Sequence, residues 1–265
     1  MTRTTARRRS PIAGFALILV ALIVSGFAYS AVSGISGTAD AAESGATSSQ
    51  IEAGKQLFLE SCSSCHGLAA EGTSNGPTLI GVGAAAVDFQ VGTGRMPAAY
   101  PTSGQVPKKP ATFDDEQVAA LSAYVASLSP GPAIPTEEQL DYSKSDLALG
   151  GELFRTNCAQ CHNFAAQGGA LSNGGYAPNL TQVSAKHIYE AMLTGPQNMP
   201  VFGNGTLRPE DKQAIIKYVR SLADEPNPGG ASLGKVGPVT EGLVGWLVGL
   251  GALIGAAVWI GVKAS

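Results

Sequence analysis

This 265-residue chain is poor in charge: Asp, Glu, Lys and Arg together make up 14% of it, and no run of like charge exceeds three residues. So little charge excludes a disordered polar chain and a charge-laced coiled coil. The formal net charge of −3 excludes a basic nucleic-acid binder, so no nucleic acid is expected among its partners. Cysteine is scarce as well. Four residues, Cys62, Cys65, Cys158 and Cys161, are far too few for a disulfide scaffold of this length. Apolar–polar alternation of strand length is missing, so the folded parts are expected to be all-α. Histidine counts three and methionine four, which leaves a short roster of candidate metal ligands. Glycine (34) and proline (16) are plentiful, and hydrophobic residues reach 44%.

The apolar residues gather at the ends. Ile12 to Val32 is 21 residues without a charge, about what one helix needs to cross a bilayer. Arg3, Arg7, Arg8 and Arg9 precede it and predict a cytoplasmic N-terminus. Two readings stay open: a retained anchor, or a signal cleaved near Ala39–Ala42. Gly242 to Val262 is a second uncharged run of 21, with Trp246 and Trp259 towards its ends and Lys263 closing it. Both tails are then cytoplasmic and the middle of the chain, with its four cysteines, lies on the extracytoplasmic side of the membrane. Gly245/Gly249 and Gly251/Gly255 have the spacing of a helix–helix packing face.

The middle is a tandem repeat. Shifting the chain by 96 residues lays Gly54, Leu57, Phe58 and the first Cys pair on Gly150, Leu153, Phe154 and the second. Further on, Pro77 parallels Pro178, Met96-Pro97 parallels Met199-Pro200, and Tyr124 parallels Tyr218. Each copy reads as a leading helix, a long Gly/Pro-rich loop and a last helix with acidic residues in its first turn. Phe58, Tyr124, Phe154 and Tyr218 read as helix-packing residues. Ser129 to Pro135 is too proline-rich for a helix and reads as a spacer.

Each Cys-x-x-Cys is followed at once by histidine, His66 or His162. A bare Cys-x-x-Cys fits a redox dithiol, half a zinc site or a haem attachment, and the adjacent histidine selects the last. The thiols bond to the haem vinyl groups and the histidine becomes the proximal iron ligand. A four-thiolate zinc site would leave both histidines idle. Two covalently bound c-type haems are therefore expected, with Cys62, Cys65, Cys158 and Cys161 as attachment points. Electron transfer needs a second axial ligand. Met96 and Met199 each precede proline in a glycine-rich loop after the motif, which suits presentation of a thioether to the iron. Met192 lies in a helical run and reads as core filler. His187 reads as a surface or helix-cap residue. An iron saturated by His and Met disfavours peroxide chemistry, so no catalytic residue is assigned. Pro77 and Pro178 are expected to set a backbone carbonyl beside the proximal histidine.

On these features the two copies resemble the cytochrome c family. The whole arrangement resembles the dihaem cytochrome c subunit of the actinobacterial cytochrome bcc complex, a respiratory quinol:cytochrome c reductase. The resemblance implies two tandem cytochrome c domains, at 50–129 and 145–225. They are flanked by transmembrane segments at 1–33 and 242–262, with linkers at 34–49, 130–144 and 226–241. It implies a cytochrome b subunit and a Rieske iron–sulfur subunit as partners, and an aa-type cytochrome oxidase as electron acceptor. By the same resemblance the haem of His66 and Met96 is the entry site and that of His162 and Met199 the exit. A stand-alone anchored dihaem shuttle, or a haem subunit of another oxidase or dehydrogenase, is the alternative. The first copy carries an extra loop over 98–110, which fits either a docking surface or a plain surface excursion. From Gln50 to Pro132, four Lys/Arg stand against seven Asp/Glu, a balance of 4 − 7 = −3. Docking through a ring of lysines is not indicated.

Overall fold

The computed structural model describes residues 11–36, 46–101, 105–224 and 238–264. The basic N-terminus, the cleavage-like Ala39–Ala42 and positions 102–104 of the extra loop lie outside the described residues. The chain divides into a unit over Met1–Ala42 and a unit over Glu43–Ser265.

The first unit holds one helix, α1 (Pro11–Ser36), longer at both ends than the expected run. In the second unit the first copy contains α2 (Ser48–Ser61), the one-turn α3 (Ser63–His66), α4 (Gly83–Gly92) and α5 (Asp115–Leu128). A short α6 (Glu137–Leu140) follows. The second copy contains α7 (Leu147–Asn157), the one-turn α8 (Ala159–His162), α9 (Ala185–Thr194) and α10 (Pro209–Asp224). Between α8 and α9 lies a small hairpin, β1 (Gly169–Ala170) with β2 (Tyr176–Ala177). The chain ends in α11 (Pro238–Ala264). Within α11, Gly242–Lys263 is long and apolar enough to cross a membrane. A Cβ added at any of the four glycines of its expected packing face would meet no atom of this chain within 4 Å.

Local chemistry sets the helix starts. Asp114 and Gln117 form a reciprocal capping box on α5, and Asp146 accepts from the N–H groups of Ala148 and Leu149 on α7. In each copy the leading helix crosses the last, α2 on α5 and α7 on α10. Glycine makes both crossings. A Cβ on Gly54 would collide with the backbone carbonyl of Ala120, and one on Gly150 with that of Ala214. The aromatic pairs sit beside these crossings, Phe58–Tyr124 and Phe154–Tyr218 both at 5.3 Å between ring centroids. Each copy has its own apolar core, around Phe58, Leu121 and Val125 in the first and Phe154, Ile215 and Ile216 in the second.

One expectation is corrected: the region after the first motif is not all loop, because α4 lies in it. Its Ala85, Val87, Phe89 and Val91 are buried, since it packs against both α5 and α9. The described residues are mostly helical, as expected, and the short β1–β2 hairpin is an insertion that raises the offset between copies from 96 at the cysteines to 101 at Pro77 and Pro178. The spacer is held by its neighbours. The Ala85 N–H donates to the Pro132 carbonyl at 3.0 Å, and α6 and its flank are held by Gln213 and Lys217 of α10.

Candidate haem sites

Each motif folds as a single helical turn at the end of a longer helix. The Cys62 N–H donates to Phe58 O at 2.8 Å, closing α2, and the His66 N–H donates back to Cys62 O at 3.0 Å. Residues three apart on such a turn share a face, so Cys62 and Cys65 point the same way. In the second copy the Cys158 N–H donates to Phe154 O at 2.8 Å and the His162 N–H to Cys158 O at 2.9 Å. None of the four cysteines is paired in a disulfide.

The histidines are fixed by the prolines as expected. His66 Nδ1 lies 2.7 Å from Pro77 O, and His162 Nδ1 lies 3.1 Å from Pro178 O. A carbonyl only accepts, so each Nδ1 carries the hydrogen. That leaves each Nε2 lone pair available to a metal, the tautomer a proximal ligand needs. Both rings are buried or nearly so, and burial pulls the His162 pKa below its ordinary value, which keeps the ring neutral. Burial, with the neighbouring thiol second, pushes Cys62 up to about 11 and Cys158 to about 12. The thiols are thus neutral and set in apolar surroundings. The four cysteines are not gathered into one zinc site: Cys62 packs on the first core and Cys158 on the second.

The methionine loops are tied to the middle helices. The Met96 N–H donates to Gln90 O of α4 at 2.9 Å, and the Phe202 N–H donates to Met192 O of α9 at 2.7 Å, closing the loop that carries Met199. Met96 packs partly buried on the first core with Cys62. In the second copy Cys158, Cys161, His162, Pro178 and Met199 line one cavity of about 490 Å³. The remainder of its wall includes apolar Leu180, Ile188, Phe202 and Ile215. A nitrogen ligand, a thioether, two thiols and an apolar wall are what a covalently held haem requires, so these residues fit the group. Met192 is buried in the second core, as expected of core filler.

His187 departs from its expected surface position. It is half-buried at the junction of α9 with α4, edge-on to Phe89 with ring centroids 6.1 Å apart. Its Nε2 lies 3.8 Å from Asp88 and 4.0 Å from Glu190, the latter fully buried. Burial first, then the charge of Asp88, pushes Glu190 up to about 9, so it is protonated at neutral pH. Lys186 pairs with Asp88 at 2.7 Å across the same junction. Sequence reasoning missed this cluster because an acid on an amphipathic helix reads as solvated until its neighbour helix is known.

The extra loop also has a definite place. Gln105 donates through Nε2 to Tyr176 O at 2.7 Å and accepts from the Tyr176 N–H at 2.9 Å, extending the hairpin of the second copy. Gln197 donates to Val106 O at 3.1 Å. Together with Phe89, Thr93 and Arg95, loop residues Gln105 and Lys108 of the first copy line the second cavity. The loop is an inter-copy contact rather than a surface excursion.

The sequence is similar to those of known proteins. The cytochrome c family matches residues 51–129, and the family described as cytochrome c oxidase, cbb3-type, subunit III matches 145–219. The cytochrome bc1 complex cytochrome c subunit of Mycobacterium tuberculosis is 45% identical over 98% of this chain and 94% of its own length. Its counterpart in Mycobacterium leprae is 46% identical over 94% of the chain and 87% of its own length. That of Corynebacterium efficiens is 44% identical over 80% and 77%. With paired Cys-x-x-Cys-His turns, proline-held histidines and likeness over nearly its full length, the chain belongs to the family of cytochrome bc1 complex cytochrome c subunits, haem-bearing electron-transfer proteins.

Proposed function

We propose that this chain is the membrane-anchored dihaem cytochrome c subunit of a respiratory quinol:cytochrome c reductase. Cys62 and Cys65 bind one haem and Cys158 and Cys161 the other. His66 with Met96, and His162 with Met199, are the axial pairs. The observation that carries the reading is the repeated Nδ1 hydrogen bond to a proline carbonyl, which readies both Nε2 atoms for iron. The haem supplies one-electron transfer; the chain supplies ligands, burial and position. The apolar wall would exclude water from a bound haem, and a histidine with a methionine would hold its iron, which favours a raised potential over reaction with oxygen.

The family relation implies that a cytochrome b subunit and a Rieske iron–sulfur subunit are its partners. Electrons enter from the Rieske protein at the first copy and leave from the second towards an aa-type oxidase. The haem copies face the extracytoplasmic side, the two tails the cytoplasm, and the open glycines of α11 pack against a membrane partner. A second reading, a haem subunit of an oxidase, is favoured by the cbb3-type family match over 145–219 and by likeness to a cbb3-type oxidase subunit over 45% of the chain.

Mild detergent purification through this chain, with a reduced-minus-oxidised spectrum and a quinol-reduction assay, tests the proposal. Co-purifying b-type haem, with c haems reduced by quinol and blocked by a quinol-site inhibitor, is expected. Additional a-type haem places the oxidase in the same assembly. Only c-type haem with no response to quinol overturns the complex assignment and leaves an anchored shuttle.

A further inference from the structure

The second cavity takes its positive charge from the first copy. Arg95 and Lys108 are the arginine and lysine residues on its wall, and neither Asp nor Glu lines it. The polar groups that the second copy contributes, among them Asn157, Asn179 and Gln182, are neutral. Among the described residues neither Arg95 nor Lys108 is paired with a carboxylate. Arg95 is half-buried and Lys108 exposed, so the rim of the cavity carries two cations free to pair with an anionic ligand.

Their positions are built. Arg95 Nη1 donates to Thr93 Oγ1 at 2.6 Å, and its guanidinium lies 4.8 Å from the centroid of the Phe89 ring. Lys108 is set by its neighbours. The Lys109 N–H donates to Gly94 O at 3.1 Å and its Nζ to Pro97 O at 2.6 Å, so one side of the loop is pinned to the first copy. Gln105 and Val106 pin the other side to the second copy.

We propose that Arg95 and Lys108 of the first copy bind the propionate carboxylates of the haem held in the second copy, so that the two copies share one cofactor site. The inference rests on the assignment of a haem to Cys158, Cys161, His162 and Met199. Arginine offers a two-pronged donor matched to a carboxylate, and lysine a point charge. Haem propionates are the anionic edge of an otherwise apolar ligand, and the wall is charged only where these two residues reach it. The arrangement has an electrostatic consequence. A cation near the iron disfavours the oxidised form, which carries one more positive charge, so removing it lowers the potential. Removing it also raises the propionate pKa and makes the potential vary with pH.

The test uses the full-length, haem-loaded chain in detergent, titrated spectroelectrochemically. The second haem is the Nernst component that Met199→Ala displaces. Lys108→Gln and Arg95→Gln are each expected to lower that component, and the double variant to cut its reduced-to-oxidised ratio about tenfold at fixed potential, which is ~59 mV for one electron. Lys108→Arg restores it. Lys108 lies 108 − 96 = 12 residues beyond Met96 and lines the cavity of the second copy, so its variant should leave the first component in place. If Lys108→Gln and Arg95→Gln both leave the second component and its pH dependence unchanged, with two haems present, the clamp is refuted. A haem assay finding one haem per chain overturns the underlying assignment instead.

Discussion

The helix crossings that carry the motifs make a sharp prediction about Gly54. A Cβ placed there would lie 2.5 Å from the carbonyl carbon of Ala120 and 3.0 Å from Tyr124 Cβ. Ordinary contact begins near 3.4 Å and the carbonyl oxygen of Ala120 lies nearer still, so α2 and α5 must part by more than about 0.9 Å (3.4 − 2.5). The obstacle is backbone, which has no alternative rotamer. Overpacking of this kind costs roughly 1–3 kcal/mol, and a gap approaching 1 Å forfeits about a quarter to a half of each dispersion contact along the seam. Alanine returns about 1 kcal/mol of helix propensity. Taking the upper end for a rigid obstacle, Gly54→Ala is expected to cost about 2 kcal/mol net. For a domain of this size that lowers the melting midpoint by roughly 8–16 °C. Thermal unfolding of the full-length protein, followed by circular dichroism and haem absorbance, measures it. Gly203→Ala is the control, because a Cβ there has no atom within 4 Å. If Gly54→Ala melts with or above the control, the close crossing does not exist and the placement of the first motif falls with it.

Four other outcomes are expected. A pyridine haemochrome assay should find two covalent haems per chain, and Cys65→Ala or Cys161→Ala should each remove the normal two-thioether spectrum of one of them. Met96→Ala and Met199→Ala should each open one iron to carbon monoxide and lower that haem's potential; an unchanged spectrum would exclude the residue as ligand. Gln105→Ala removes both bonds to Tyr176, each about 1 kcal/mol, and should raise hydrogen exchange in the β1–β2 hairpin without loss of haem. Glu190 should make stability fall with rising pH. Its pKa is raised from 4.5 to about 9 in the fold, so the native state binds the extra proton. The contribution is complete below the unfolded pKa and is lost as pH climbs through about 9. Denaturant titrations from pH 5 to 9 should show a decline that Glu190→Gln flattens, and equal slopes in the two proteins would refute the buried proton.

What the sequence determined alone was local chemistry. Cys-x-x-Cys-His is complete within five residues, because one helical turn suffices to set two thiols on a face and the next residue beside them. The Met-Pro loops and the histidine–proline pairing were legible because both copies repeat them in order. The aromatic pairs followed from helical spacing, and the membrane-length run of α11 from composition. Tertiary structure decided what depends on partners far along the chain. Helix α4 escaped notice because burial against two helices erases the polar stripe that marks an amphipathic helix. Glu190 and His187 became a buried cluster only once α4 was laid against α9. The bond from Gln105 to Tyr176 spans 71 residues and that from Gln197 to Val106 spans 91, so no local pattern records them. Local covalent and hydrogen-bond geometry is written in neighbouring residues, whereas the charge lining the second cavity is fixed only by how the first copy packs against it.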